Sequence, residues 1–292
     1  MPPSGSPVRR RRLAAELRRL RGNRTGGQVS RAIGWSPTKV SRAESGHDSI
    51  PPSEVEKLLD FYGVEDPLRS RLLELAEDAT QRGWWEDYAD ALTPESLEFI
   101  GLEAEAVSSL QWQTDVVPGL FQTEDYARQL SAAWQTVNTT TPPAVLDRFM
   151  QARMRRQERL TREPVLELYV VLDEAVLLRR IGDRGVMRAQ LERLADVADL
   201  PNVDLRVMPL NRKIALLGGS FVIMSFGSRA AAGAASLGDI VCTESVKTEL
   251  RIEGEETDMY LFRLFFQAVA KASLSPADSR HMIVTTIERT WS

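Results

Sequence analysis

The sequence feature that most constrains the fold is a set of helix start and stop signals that recur at short intervals near the N-terminus. Thr25 and Gln28 have the spacing of a capping box, in which each side chain hydrogen-bonds the backbone of the other residue at the start of a helix. Gly34 can adopt the left-handed conformation that ends a helix, and Ser36 followed by Pro37 has the pattern of an N-cap and a first helical position. These signals leave room only for short helices joined by tight turns.

Apolar residues at helical spacing extend this pattern along the N-terminal part of the chain. Leu13, Leu17 and Leu20 lie on one face of an expected first helix, and the same periodicity continues to about residue 80. We therefore predict an all-α domain of five short helices over residues 8–80. Residues 1–7 have no periodicity and are predicted to form a disordered arm.

The remainder of the chain changes character after a break in periodicity at residues 81–96, where we place a junction between domains. Residues 97–292 combine β-branched runs with amphipathic segments and are predicted to form a mixed α+β domain. The predicted strands are residues 102–111, 165–172, 203–208, 220–226 and 239–243, and the predicted helices are residues 123–134, 145–160, 187–200, 256–272 and 276–289.

Charge is distributed unevenly along the chain. The whole chain of 292 residues has a net charge of −4, whereas residues 1–50 contain 11 Lys or Arg against 3 Asp or Glu, a net +8. The remaining 242 residues therefore carry a net −12. A basic N-terminal segment on an acidic body is typical of a protein whose N-terminal part meets a polyanion, and a solvated basic tail is the alternative.

Other function classes find little support in the composition. The one cysteine, Cys242, excludes an intramolecular disulfide and argues against a cysteine-rich zinc site, and the two histidines leave little material for histidine chemistry. The motifs of hydrolases, metalloproteases, P-loop proteins and dinucleotide-binding proteins are absent, so we expect neither an enzyme nor a cofactor or metal. We expect no membrane span and no secretory signal, which favours a cytoplasmic location.

The predicted helices at residues 25–33 and 37–45 have the spacing of a helix-turn-helix. In that arrangement the second helix presents one face to the major groove of DNA. Val40 and Ala43 are expected to face inward. The expected outward residues are Ser36, Pro37, Thr38, Lys39, Ser41 and Arg42, whose polar and cationic groups suit base edges and phosphates.

Residues 33–46 resemble the central motif of the XRE/Cro-repressor helix-turn-helix family, and the resemblance extends over residues 13–64. It implies a lambda-repressor-like fold for the N-terminal domain. It also implies that Pro37, Thr38 and Arg42 face base edges.

Two further positions matter in this comparison. Glu44 lies in the last turn of the second helix, where the helix dipole disfavours an anion, and the resemblance implies that Arg19 of the first helix pairs with it. In the family, the residue after the N-cap threonine is usually a glutamine that helps to clamp the DNA backbone. This chain has Gly26 followed by Gly27 instead, which puts that clamp in question.

Residues 97–285 resemble the uncharacterised C-terminal domain that follows this helix-turn-helix in WhiJ-like actinobacterial regulators. The resemblance is carried by residues 117–127, 153–160 and 190–194. It implies a regulator of development or secondary metabolism. It also implies a very small partner protein encoded nearby, in an arrangement compared with toxin–antitoxin pairs.

Together these features predict a sequence-specific, DNA-binding transcriptional regulator that binds a near-palindromic operator as a homodimer at the nucleoid. Residues 97–292 are expected to dimerise or to bind a ligand or the small partner. The alternative is an antitoxin-like protein that neutralises the partner and autoregulates its operon. The residues expected to contact base edges are Pro37, Thr38, Lys39 and Arg42. Those expected to contact the DNA backbone are Arg9, Arg10, Arg11, Arg12, Arg24, Thr25, Gln28, Ser36, Ser41 and His47.

Overall fold

The computed structural model describes residues 5–46, 48–135, 141–211, 218–227, 238–243, 251–253 and 256–292. The chain forms two compact units. The first consists of Met1–Glu105 with Phe226–Gly238, and the second consists of Ala106–Ser225 with Asp239–Ser292.

Helices form the first unit. Those described are α1 Pro7–Arg21, α2 Gly26–Ile33, α3 Pro37–Ser45, α4 Pro52–Tyr62, α5 Leu68–Ala79 and α6 Pro94–Glu105, with a short 3₁₀ helix at Trp84–Tyr88. The helical fold predicted over residues 8–80 is confirmed. The side chain of Ser6 accepts a hydrogen bond from the backbone N of Arg9 at 3.1 Å. This cap starts α1 inside the segment expected to be a disordered arm, of which residues 1–4 lie outside the described residues.

Apolar residues from α1 to α5 form the core of the first unit. Leu17, Val29, Leu59 and Ala76 are all 0% exposed and belong to this cluster. Full burial of a leucine or valine side chain contributes about 1.5–3 kcal/mol relative to exposure. A helix of 8 residues such as α2 is not stable alone in water, so this packing is what stabilises the short helices.

α6 belongs to the first unit, which differs from the sequence expectation. The sequence predicts a junction between domains at residues 81–96 and a strand at residues 102–111. In the structure α6 continues to Glu105, so residues 102–105 are helical, and the first strand begins at Ser108. The physical reason is packing against α1. A Cβ at Gly101 would lie 2.6 Å from the ring of Pro7, so α6 approaches α1 closely at a position where only glycine fits.

Within the part of the chain that the structure describes, the second unit contains a six-stranded mixed sheet with helices. Its strands are β1 Ser108–Gln113, β2 Glu167–Asp173, β3 Val203–Met208, β4 Phe221–Ser225, β5 Ile240–Thr243 and β6 Arg251–Glu253, and its helices are α7 Glu124–Gln135, α8 Pro143–Arg156, α9 Ala175–Leu178, α10 Arg184–Val197, α11 Glu256–Ala272 and α12 Pro276–Thr290. The strand order is β3-β2-β1-β4-β5-β6. β1, β2 and β3 run parallel, and the remaining pairs are antiparallel. The predicted mixed α+β class is confirmed.

One face of the sheet packs against α11. Trp112, Val171 and Phe221 come from three neighbouring strands and form a cluster with Phe266 and Val269 of α11. Side chains on a strand alternate between the two faces, so Leu110 and Trp112 of β1 and Phe221 and Ile223 of β4 face α11 at every second position, whereas β2 contributes Val171 to this cluster. Among the described residues, no helix combines the length and the apolarity that crossing a membrane requires.

The segments that carry the second resemblance lie together in this unit. The Oε1 of Gln122 accepts a hydrogen bond from Nη1 of Arg153 at 2.6 Å. The Nε2 of Gln190, a buried residue of α10, donates to the carbonyl of Phe121 at 2.8 Å. These amide groups satisfy buried backbone and side-chain polar groups, which supports a structural role for the turn after β1.

The glycines that end α2 and α3 allow a paired stability test. Gly34 and Gly46 both have φ of +71°. A Cβ at Gly34 would have nothing within 4 Å, whereas one at Gly46 would lie 2.9 Å from the Cα of Arg11. We expect Gly34→Ala to lower the free energy of unfolding by about 1–2 kcal/mol through backbone strain. Gly46→Ala should lower it by more, because the new methyl group also displaces α1. Denaturant titration measures both, and equal losses would contradict the close contact.

Glu105 at the end of α6 predicts a pH dependence of stability. Burial raises the pKa of Glu105, and hydrogen bonding from Ser6 and the charge of Arg9 oppose this effect. The folded state therefore holds the proton more tightly than the unfolded chain, so the free energy of unfolding falls as pH rises from the unfolded pKa through the folded pKa. Glutamine does not ionise. Glu105→Gln should thus gain stability relative to the wild type as pH rises above about 4.3, the ordinary pKa of a glutamate.

Thermal unfolding at several pH values measures this difference. Glu95→Gln removes an exposed carboxylate from the first turn of the same helix and serves as the control. A stability difference between Glu105→Gln and the wild type that does not change with pH would contradict the raised pKa of Glu105.

Candidate nucleic-acid interface

Hydrogen bonds hold α2 and α3 in a helix-turn-helix. Thr25 and Gln28 form the predicted capping box: the Oγ1 of Thr25 accepts from the backbone N of Gln28 at 3.2 Å, and the Oε1 of Gln28 accepts from the backbone N of Thr25 at 2.7 Å. In the turn, the backbone N of Trp35 donates to the carbonyl of Ser30 at 3.0 Å, and the Oγ of Ser30 donates to the carbonyl of Trp35 at 2.6 Å. The backbone is therefore bonded across Gly34, which sets the direction in which α3 leaves the turn.

α3 has one buried face and one exposed face. Its N-cap, Ser36, accepts a hydrogen bond through Oγ from the backbone N of Lys39 at 3.2 Å. Val40 and Ala43 are 1% and 3% exposed and belong to the core of the first unit. The exposed residues of the helix and its cap are Ser36, Pro37, Thr38, Ser41, Arg42 and Ser45. The inward positions are those predicted from helical spacing, and of the predicted outward positions Lys39 alone is half-buried.

Both cations of α3 have carboxylate partners. The Nζ of Lys39 lies 4.5 Å from the centre of the Trp35 ring and donates to Glu54 of α4. The Nε of Arg42 donates to Asp48, in the loop after α3. The Arg42 side chain remains 65% exposed, so this contact orients the guanidinium without burying it.

A cleft of about 430 Å³ lies beside the exposed face of α3. Its walls include Thr38 and Arg42 of α3, Ser49 and Ile50 of the loop, and Glu54. Hydroxyl, guanidinium and carboxylate groups line this cleft beside the apolar side chains of Trp35, Ala43 and Ile50, so hydrogen-bonding groups and apolar surface alternate along its wall. Among the described residues, no group of three or more His, Cys, Asp or Glu side chains is arranged to hold a metal ion.

Glu44 pairs with α1, but through a different arginine from the one expected. The Nε of Arg21 lies 2.9 Å from a carboxylate oxygen of Glu44. Arg19 instead pairs with Glu16 of its own helix at 2.8 Å. Residues two positions apart on an α-helix differ by about 200° in direction, so Arg21 faces α3 and Arg19 does not. The expected Arg19–Glu44 pair is therefore wrong, whereas an arginine of the first helix does neutralise Glu44.

The four consecutive arginines at the start of α1 are partly or fully buried, and three of them pair with carboxylates of the first unit. The side chain of Arg10 is 3% exposed, and its Nη2 lies 3.2 Å from Glu98. Arg11 shares the same carboxylate at 2.9 Å. Arg9 has two further carboxylates within 4 Å, and Arg12 is partly buried. A buried, paired guanidinium does not lie along a phosphate, so the structure corrects the expected backbone contact of Arg10.

The start of α2 carries other residues expected to contact the DNA backbone. Arg24, Thr25 and Gln28 are exposed there. The guanidinium of Arg24 lies 5.8 Å from the ring centre of Phe61 and 5.9 Å from that of Tyr62. Burial is the main cause that raises the pKa of Tyr62 to about 12, so its hydroxyl is neutral at physiological pH. The aromatic rings limit the directions in which Arg24 points.

Sequence reasoning did not find the partners of the α3 cations. Trp35, Asp48 and Glu54 lie in the turn, in the loop and on the next helix, and no periodicity connects such positions. The one signal in the sequence for such a partner was Lys39 itself. The helix dipole disfavours a cation in the first turn of a helix, so an anion nearby stabilises it. His47, expected to contact a phosphate, lies outside the described residues.

Two family models match this chain, and the second one begins inside α6, a helix of the first unit. Residues 12–72 match a helix-turn-helix domain. Residues 97–285 match a domain of unknown function, DUF5753. A search among curated proteins finds no match. Since the second match covers more than half of the chain, this protein belongs to the DUF5753 family and carries a helix-turn-helix DNA-binding domain at its N-terminus.

Proposed function

We propose that this protein is a transcriptional regulator that binds double-stranded DNA sequence-specifically, with α3 in the major groove. The observation that carries this proposal is the exposed face of α3. Thr38 and Arg42 point to solvent on a helix whose opposite face, formed by Val40 and Ala43, is held in a core. A helix held in this way needs little ordering when it binds, which favours affinity.

Arg42 is the proposed main contact to a base. Its guanidinium is exposed, and its planar set of donors matches the O6 and N7 acceptors of guanine in the major groove. Such a bidentate contact contributes about 1–3 kcal/mol of discrimination against other bases. Pro37, Thr38 and Lys39, in the first turn of the same helix, are proposed to reach neighbouring base edges.

Residues near the two helix N-termini are proposed to contact phosphates. The backbone N–H groups at a helix N-terminus and the helix dipole both favour an anion there. The residues concerned are Ser36, the N-cap of α3, and Arg24, Thr25 and Gln28 at the start of α2. Ser41 lies in the middle of α3 and is proposed to reach a phosphate through its exposed hydroxyl. Arg10 and Arg11 are not among them because Glu98 holds both.

Asp48 and Glu54 compete with DNA for the two cations of α3. Binding exchanges each carboxylate for a base edge or a phosphate. Exposed ion pairs contribute only about 0–1 kcal/mol, so one well-placed guanine contact outweighs the loss of the Arg42–Asp48 pair. Where no matching base is present, the two carboxylates remain near the DNA phosphates and repel them. The ion pairs therefore favour a specific site over random DNA.

We also propose that the protein acts as a homodimer on a near-palindromic operator. One short helix contacts only a few base pairs, and a two-fold protein doubles that number at half-sites about one helical turn apart. The DUF5753 domain accounts for most of the chain outside the helix-turn-helix, so we assign to it dimerisation and the response to a ligand or a small protein partner. Binding to chromosomal DNA places the protein at the nucleoid.

Selection of bound duplexes from a random pool by the full-length protein tests this function. We expect a motif with two half-sites separated by roughly 10 base pairs from centre to centre. We expect Arg42→Ala to lose discrimination at one base pair of each half-site by about 5- to 150-fold, because a bidentate contact is removed. Sequencing of the selected pools measures both results.

Arg71→Ala is the matched control, because Arg71 is an exposed arginine of α5. Its selected motif should equal that of the wild type. An unaltered motif for Arg42→Ala would exclude α3 as the base-contacting helix. A wild-type protein that enriches no duplex at low salt would exclude the DNA-binding function itself.

Lys39 predicts a change in salt dependence. Neutralisation of a phosphate releases condensed counterions, so Lys39→Ala should reduce the magnitude of the slope of log K against log salt by about one if Lys39 touches phosphate alone. Fluorescence anisotropy over a series of salt concentrations measures the slope. Lys271→Ala removes an exposed lysine of α11 and should leave the slope unchanged. Equal slopes for Lys39→Ala and the wild type would exclude a phosphate contact of Lys39.

A further inference from the structure

A buried guanidinium connects three segments of the first unit. The Nε of Arg10 donates to the carbonyl of Gly46 at 3.4 Å, and its Nη1 donates to the carbonyl of Gly5 at 3.2 Å. Its Nη2 donates to Glu98 at 3.2 Å. Arg10 of α1 thus contacts the N-terminal segment, the end of α3 and α6 at once.

Gly46 is the residue at which α3 ends. The carbonyl groups at the C-terminus of a helix lack helical hydrogen-bond partners and carry a partial negative charge. A guanidinium placed there donates a hydrogen bond to them and also neutralises that charge. The contact is close, because a Cβ at Gly46 would lie 2.9 Å from the Cα of Arg11. Arg42 lies one helical turn before Gly46 on α3. Its position therefore depends on how the end of the helix is held.

Glu98 compensates the burial of Arg10. The Glu98 side chain is 11% exposed and accepts hydrogen bonds from Arg10 at 3.2 Å and from Arg11 at 2.9 Å. Burial lowers the pKa of Arg10, and the charge of Glu98 is the largest effect that opposes it. Asp48 and Glu86 also oppose it but contribute less than Glu98, so loss of Glu98 removes the largest part of the compensation for the buried charge. Without Glu98, the guanidinium of Arg10 is better solvated when it turns away from Gly46 toward water.

The carboxylate comes from outside the helix-turn-helix match. Glu98 lies beyond residues 12–72 and within residues 97–285, the DUF5753 match. It is a residue of α6, which ends at Glu105, and β1 of the sheet begins at Ser108. The DUF5753 match thus begins with a helix that contacts both α1 and, through Arg10, the end of α3.

We propose that Glu98 is a positioning residue for DNA recognition, which through Arg10 fixes the C-terminal end of α3 and so the direction of Arg42. This inference rests on the proposed DNA-binding function. It gives Arg10 and Arg11 a role inside the protein in place of phosphate contacts. Operator affinity then depends on α6, although Glu98 itself does not touch DNA.

Glu98→Gln in the full-length protein tests the proposal, with Glu95→Gln as the matched control on the same helix. Three quantities are measured below the unfolding temperature: the affinity for the selected duplex, its salt slope, and the amide hydrogen exchange of residues 43–46 in the free protein. We expect Glu98→Gln to weaken binding by about tenfold, to leave the salt slope unchanged, and to accelerate exchange at the end of α3. Glu95→Gln should match the wild type in all three.

Arg10→Lys provides a second variant in case Glu98→Gln unfolds. Lysine keeps a positive charge for Glu98 but lacks the planar fork that reaches Gly46 at the same time. It should therefore weaken binding and accelerate exchange in the same direction as Glu98→Gln. Normal exchange at residues 43–46 in Arg10→Lys would overturn the proposal.

Two other results would also overturn it. Tighter binding of Glu98→Gln with a steeper salt slope would mean that Glu98 withholds Arg10 and Arg11 from phosphates. Unchanged affinity and unchanged exchange would mean that the pair has a structural role only. If the wild type binds no duplex while Glu98→Gln still accelerates exchange, the proposed function fails and the control of α3 by α6 stands.

Discussion

The structure depends on the burial of Val40 and Ala43, which anchor one face of α3 in the core of the first unit. A helix of 9 residues is marginal in water, so α3 exists as a helix only because this face is packed. The same packing leaves Thr38 and Arg42 on the opposite face in solvent. Folding and the proposed DNA contact are therefore two consequences of one amphipathic helix.

Two side chains of α3 carry charges that the helix dipole disfavours, and each is neutralised by a residue of another helix. Lys39 in the first turn meets Glu54 of α4, and Glu44 in the last turn meets Arg21 of α1. These side chains come from separate helices, so electrostatic contacts add to the core in setting the position of α3. The arrangement also means that the free protein presents a surface on which the cations are already occupied, and DNA has to offer them better partners.

Sequence-based prediction was correct for elements whose interacting groups all lie within one short segment of the chain. The capping box of Thr25 and Gln28 was predicted from the identity and spacing of those residues, and it forms as expected. The ranges 203–208 and 256–272 were predicted from composition and periodicity, and β3 and α11 have those bounds. The strand predicted at residues 102–111 is wrong over its first part, which is helical because α6 packs closely on α1, whereas residues 108–111 belong to β1.

The sequence by itself determined the short helices, their caps, the inward face of α3 and the mixed class of the second unit, because propensity, periodicity and capping act within a few residues. Only the tertiary structure decided that α6 joins the first unit, that Arg21 pairs with Glu44, and that Glu98 holds Arg10. The partners in each of these contacts lie on different helices, and the direction of a side chain across such a gap depends on how the helices are rotated and packed. Neither rotation nor packing is encoded in local spacing.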